Sequence, residues 1–154
     1  MTPSQARNAI KKSLKALIDP TPKNNEKILI WSYFNDSCVY CGQGLLKESR
    51  KGHIDHLYSE MAGGANKLSN LVLTCSTCNG DEKRESNWLD FLKVKCGIDD
   101  KTFIDRKARI ENWININGGD PFLSVEENNL LDSEFEKINK VFSVAVENLR
   151  RTKM

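Results

Sequence analysis

Histidine is scarce in this chain: there are two, His53 and His56, and both fall within residues 52–58. Imidazole chemistry is therefore confined to one short stretch. No apolar run comes near the roughly 20 residues needed to span a bilayer, and no apolar segment follows the basic residues at the N-terminus. A membrane partner is thus not expected, and a cytoplasmic location is. Long low-complexity runs are missing, which argues against extensive disorder. So is a strong charge of one sign, since the net charge is +2. At 154 residues the chain fits a single domain that can bury a core without disulfides.

Cysteine is present in a pattern. Cys38-Val-Tyr-Cys41-Gly42 and Cys75-Ser-Thr-Cys78-Asn79 form two Cys-x-x-Cys pairs, and in a reducing compartment such pairs are metal ligands rather than disulfides. A short turn brings both sulfurs of a pair to one ion, so four thiolates can close a tetrahedral zinc site. A closed site leaves no coordination position for water or substrate, which makes the zinc structural. Cys96 is left over and reads as a buried thiol on a helix.

Charge is unevenly spread. Residues 1–31 carry six Lys/Arg against two acids, residues 32–98 eight of each, and residues 99–154 nine against eleven. A basic N-terminal arm suits a phosphate backbone, although a solvated helix face has the same composition.

The expected architecture is α+β: a mainly helical single domain (1–154) around a strand–loop–strand–helix core with a four-cysteine zinc site. Residues 1–35 read as basic helices. Thr2-Pro3-Ser4-Gln5 is a capping box with proline at the first helical position. Asp19-Pro-Thr-Pro22 stops that helix and Thr21-Pro22 can cap a second one, with Ile28, Leu29, Trp31 and Phe34 on its apolar side. Residues 36–96 hold the knuckles, a strand over residues 52–58, a loop over residues 59–69, a β-forming run at Leu71-Val-Leu-Thr74, and a helix from Cys78-Asn79 that carries Lys83 and Arg84. Ser86 can cap a further helix from Trp88 to Cys96, which Gly97 ends. Residues 97–154 are helical. Asp99-Asp100 leads into a helix with Phe103, Ala108, Ile110 and Trp113 as core contacts. Ser124-Val-Glu-Glu127 is a second capping box, opening a long helix with the stripe Leu131, Phe135, Ile138, Phe142, Ala145 and Leu149.

Phosphodiester cleavage needs an activated water, a cation for the charge growing on phosphoryl and leaving oxygens, and a scaffold that aligns them. His56 is a suitable base, because an unperturbed imidazole titrates near neutral pH. Asp55 is its neighbour, so on a strand the two point to opposite faces. Asn79 offers a neutral oxygen to a hard cation. Asp55 and Asn79 could hold one Mg²⁺ or Mn²⁺ while His56 activates water from the other side. His53 shares the Asp55 face of an alternating strand and could touch metal or phosphate.

The order Cys-x-x-Cys, Asp55-His56, Asn70-Leu-Val-Leu73, Cys-x-x-Cys-Asn79 resembles the HNH family of nucleases, with the ββα-metal fold, over about a third of the chain. The resemblance implies that His56 is the general base and Asp55 a metal ligand. It implies that Asn70 ties the loop back to the active strand and that Asn79 completes the metal site. It also implies a basic residue soon after the last motif, Lys83 or Arg84, in contact with nucleic acid. The four cysteines match the zinc-bearing branch. Ser59 stands where many members carry a proline. The function implied is a metal-dependent endonuclease on double-stranded DNA that leaves 5′-phosphate and 3′-hydroxyl ends. A restriction-type role would use the flanking helices for recognition, with a homodimer for a double-strand cut. The competing readings are a zinc-stabilised nucleic-acid-binding module without cleavage and a zinc-ribbon interaction domain.

Overall fold

A computed structural model describes residues 1–97 and 101–152; Asp99 and Asp100, expected to lead into a helix, lie outside the described residues. The chain divides into two compact units, residues 1–20 with 123–154, and residues 21–122.

The first unit pairs α1 (Pro3–Ile18) with α5 (Val125–Arg151). Both expected capping boxes are formed, by Thr2 with Gln5 and by Ser124 with Glu127. Arg7 meets Asn139 (2.8 Å) and Phe142, while Lys11 meets Asp132 (3.0 Å) and Phe135, so the helices run antiparallel. The α5 stripe is only partly covered. Leu131 is buried, Phe135 and Phe142 are half-buried, and Ile138, Ala145 and Leu149 are exposed. One helix of 16 residues against one of 27, at about 1.5 Å per residue, cannot sheathe the whole stripe.

The second unit holds the sheet. α2 (Asn24–Tyr33) starts at Lys23, whose backbone N–H donates to the Glu26 carboxylate (2.6 Å), rather than at Thr21. Its buried face is Ile30 with the following Phe34; Ile28 and Leu29, expected inside, are exposed. β1 (Gly52–His56) and β2 (Leu71–Cys75) pair antiparallel, with Gly52 opposite Cys75 and His56 opposite Leu71. β2 is wholly buried, in keeping with the consecutive Leu71, Val72 and Leu73, and the hydroxyl of its one polar residue, Thr74, donates to His53 O (3.3 Å). A π-helical segment, Thr77–Lys83, follows. α3 (Trp88–Cys96) is capped by Asn87, not Ser86, through a bond from the Leu89 N–H (2.9 Å). α4 (Lys101–Ile116) buries Phe103, Ile110 and Trp113 and leaves Ala108 exposed. The architecture is the α+β one expected: mainly helical, around a two-stranded sheet.

Two long-range anchors fix the sheet. The Trp113 indole N–H donates to the carbonyls of Leu68 and Leu71 (2.8 Å each), so α4 grips the entry to β2. The segment after α4 clasps the loop between the strands: the Ala65 N–H donates to Pro121 O (2.9 Å), Ser69 Oγ to Asp120 O (2.8 Å) and Lys67 Nζ to Phe122 O (2.6 Å).

Candidate active site and metal centre

The first knuckle turns back on itself. The Gly42 N–H donates to Cys38 O and the Cys38 N–H to Gln43 O (2.9 Å each), while the Val39 N–H reaches Leu73 O on β2 (3.0 Å). The second knuckle begins at Cys75, the last residue of β2, whose sulfur accepts from the Cys78 N–H (3.5 Å). All four sulfurs lie within 4.8 Å of one another, and Cys41 and Cys75 are 3.7 Å apart. Zn–S bonds of about 2.3 Å set a tetrahedral edge near 3.8 Å, so the donor set and its spacing fit zinc. The acid–base chemistry agrees. Burial pushes the Cys38 thiol up to about 11 and raises Cys78 as well. Burial also opposes ionisation of Cys75, but there the Cys78 backbone and thiol hydrogen bonds prevail and lower it. Four thiolates this close need a cation among them. Cys96 stands outside the cluster: it donates to Tyr40 O (3.6 Å) and accepts from Arg106 (3.2 Å).

Asp55, His56, Asn79, Lys83 and Arg84 line one open cleft, together with Ser59, Glu60, Met61 and Glu85. The wide π turn places Lys83 beneath the end of β1. Its ammonium, 2 % exposed, donates to the His56 carbonyl (2.7 Å) and lies 3.3 Å from Asp55 Oδ2. Lys83 was expected to face nucleic acid; its ammonium is instead committed inside the protein. Arg84 is exposed at the rim of the cleft. Burial raises the Asp55 carboxyl above its ordinary value, and the Lys83 charge opposes that rise. Among the described residues the buried Tyr40 hydroxyl has no hydrogen-bond partner; burial and then the charges of Asp55, Cys38 and Cys78 hold its pKa high.

Asn70 is fully buried at the foot of β2. Its Oδ1 accepts from the Tyr58 N–H (2.8 Å), and its Nδ2 donates to the carbonyls of Tyr58 (3.0 Å) and Ala65 (2.9 Å). The amide thereby ties the chain leaving β1 to the loop that returns to β2. Gly64 is required beside it, because a Cβ there would lie 1.9 Å from Tyr58 O and 2.6 Å from Asn70 Nδ2.

His56 Nε2 is 3.0 Å from Asn66 Oδ1. With the amide oxygen as acceptor, the imidazole proton sits on Nε2 and Nδ1 carries the lone pair. His56 borders a second cleft as well, shared with Trp31, Gly52, His53, Ile54 and Asn66.

A thiolate cluster, an Asp–His pair ending one strand and an asparagine-locked loop thus occupy one strand–loop–strand–helix unit, and the model of the HNH endonuclease family matches residues 38–85. That stretch, about a third of the chain, is what is similar to the HNH family. The chain is similar to the "SPbeta prophage-derived putative HNH endonuclease YoqL" of Bacillus subtilis (strain 168), at 28% identity over 130 residues. That alignment covers 72% of this chain and 51% of the relative, so the chain spans about half of that protein's length.

The fold gathers Cys38, Cys41, Cys75 and Cys78 into one cluster and sets Asp55, His56, Asn79, Lys83 and Arg84 around one cleft of the HNH-like stretch. His53 and Asp55, expected on one face, border different clefts. Sequence reasoning missed Asn66 as a partner of His56, the buried Lys83–Asp55 pair and the place of Trp31. Only Gly52 offered a signal, since a glycine inside a strand marks close approach by another group.

The purified chain is expected to carry one zinc per molecule by elemental analysis, and Cys75→Ser should lower zinc content and melting temperature together. Full stability in a zinc-free protein contradicts the structural role. Lys83→Met, in magnesium-free buffer, leaves the Asp55 carboxylate buried without a counter-charge and should cost on the order of 3 kcal/mol at pH 7. The Asp55 carboxyl, already raised, rises further in that variant. The deficit is therefore present above the unfolded-state value and fades as the pH falls and the carboxyl takes up a proton. Urea denaturation at several pH values checks this; a deficit that grows on acidification contradicts it.

Proposed function

We infer that the chain is a metal-dependent endonuclease that hydrolyses DNA phosphodiester bonds. The observation that carries this reading is the end of β1, where Asp55 and His56 stand side by side over a cleft shared with Asn79. Asp55 and Asn79 offer a carboxylate and an amide oxygen, few protein ligands, as Mg²⁺ or Mn²⁺ prefers when waters and substrate phosphate complete its shell. Bound there, the cation would supply charge neutralisation on the phosphoryl and leaving oxygens.

The residues of the chain do the rest. Asn66 holds the imidazole with its proton on Nε2, and Nδ1 takes a proton from water. The resulting hydroxide attacks phosphorus while the bond to the 3′ oxygen breaks, and that oxygen leaves to be protonated. The phosphate stays on the 5′ end and the other fragment ends in 3′-hydroxyl. Lys83 fixes both partners from below, through the Asp55 carboxylate and the His56 carbonyl. Asn70 holds the loop that carries Asn66. Zinc on Cys38, Cys41, Cys75 and Cys78 keeps the ends of this unit together and takes no part in the reaction.

Sequence-specific cutting of the restriction type is the biological role we favour, with Arg84 and the flanking helices as sources of DNA contacts. A single cleft cuts one strand at a time, so a double-strand cut calls for a homodimer.

Plasmid treated with the protein and Mg²⁺ should yield discrete linear fragments, at a rate rising more steeply than the first power of protein concentration. His56→Ala should lower the rate by about 10³-fold while DNA binding persists. A smear, or nicks alone, counts against the restriction role. Wild type inert with Mg²⁺, Mn²⁺ and Ni²⁺ leaves a binding module instead. Asn66→Ala should lower kcat by on the order of 10-fold or more with little change in KM, and Asn66→Asp should restore part of it. Equal kcat in wild type and Asn66→Ala removes Asn66 from the mechanism.

A further inference from the structure

Trp88 and Trp113 are buried in the core, whereas Trp31 is only half-buried. It projects from α2 onto the first residue of β1. A Cβ on Gly52 would lie 2.3 Å from Trp31 Cη2 and 2.6 Å from Cζ2, so the indole rests directly on the strand backbone. Glycine is needed there to make room for it. Among the described residues the indole N–H has no hydrogen-bond partner, which leaves it to solvent or to a ligand.

The cleft beside Trp31 is lined by Pro22, Lys27, Gly52, His56 and Asn66 among others. Lys27 is exposed and, among the described residues, has no acidic partner. Along β1, Gly52, His53 and Ile54 border this cleft, Asp55 borders the other, and His56 borders both. The His56 ring is held on the Trp31 side by Asn66. His56 is the lining residue common to this cleft and the catalytic one.

We propose that Trp31 is a stacking platform for one unstacked base of the DNA strand being cut, with Lys27 contacting that strand's backbone. This rests on the nuclease reading of the adjoining site. From Gly52 to His56 the strand runs about 13 Å, and stacked DNA advances about 3.4 Å per nucleotide. The base that meets Trp31 thus lies within about four nucleotides of the scissile phosphate. An indole stacks on any base, so the platform reads local unpairing instead of sequence. The unstacking it requires costs least at a mismatch or in single-stranded DNA, and such substrates gain accordingly.

The test is a scan of end-labelled duplexes containing a mapped cut site, with a single abasic residue placed at each of four positions on either side. In the wild-type protein one position should lower kcat/KM by about 5- to 100-fold, and a mismatch at that position should raise it. Trp31→Ala should cleave intact and abasic duplexes at one common low rate, while Trp31→Phe should keep the wild-type pattern. Lys27→Gln should reduce the slope of log Kd against log salt by about one. A wild-type protein that cuts but is insensitive to every abasic position overturns the stacking site and leaves the nuclease standing. So does a Trp31→Ala protein that retains the wild-type abasic profile. A wild-type protein that cuts nothing overturns the nuclease reading; single abasic residues stepped along a single-stranded oligonucleotide, read as Kd by fluorescence anisotropy in Ca²⁺ for wild type and Trp31→Ala, then decide the stacking site alone. A flat Kd profile sinks it.

Discussion

The convergence of four sulfurs within 4.8 Å is the constraint on which the rest of the second unit depends. Cys75 is at once the last residue of β2 and a member of that cluster, so whatever closes the thiolate site also ends the strand and aims the chain into the π turn. The first knuckle is tied to β2 by the Val39–Leu73 hydrogen bond. Among the described residues the sheet has two strands, and an isolated hairpin of that size is marginal in water. Its stability comes from outside: the thiolate cluster at one end, Trp113 at the other, and helices packed over a fully buried β2.

The same geometry creates the electrostatic tension at the candidate active site. A carboxylate is wanted at Asp55, yet the site is buried enough to raise its pKa. A lysine held almost wholly inside the protein offsets this, at the cost of desolvating a second charge. Such a pair is a poor device for stability alone and a good one for orientation, because Lys83 also holds the His56 carbonyl. The wide π turn matters for this reason: it carries Lys83 under β1 while keeping Asn79 at the cleft. Trp31 occupies the opposite face of β1 and brings the remaining polar cleft up to His56.

Much of the site was legible in the chain itself. Two Cys-x-x-Cys pairs, an adjacent Asp and His, and an asparagine directly after the last cysteine are local patterns, and each function needs its groups at those short spacings. The helix starts at Thr2 and Ser124 were legible for the same reason, since a capping box closes within four residues. Where neighbours compete, local reading slipped: Asn87 caps α3 in place of Ser86, and Lys23 with Glu26 opens α2 in place of Thr21. The stripe on α5 was visible, but its burial depends on how much of it a shorter partner helix can cover.

By itself, then, the sequence determined the identity of the four clustered thiols, the order strand–loop–strand–helix and the adjacent Asp and His at the end of the first strand. These follow from bonding rules that act over a few residues. Only the tertiary structure decided that Lys83 is a buried counter-ion rather than a phosphate contact, that Asn66 meets the His56 ring, and that Trp31 lies on Gly52. Each of those joins groups far apart in the chain. Whether such groups meet is set by the packing of the helices around β2 and by the winding of the turn after Cys75, which no local pattern of residues encodes.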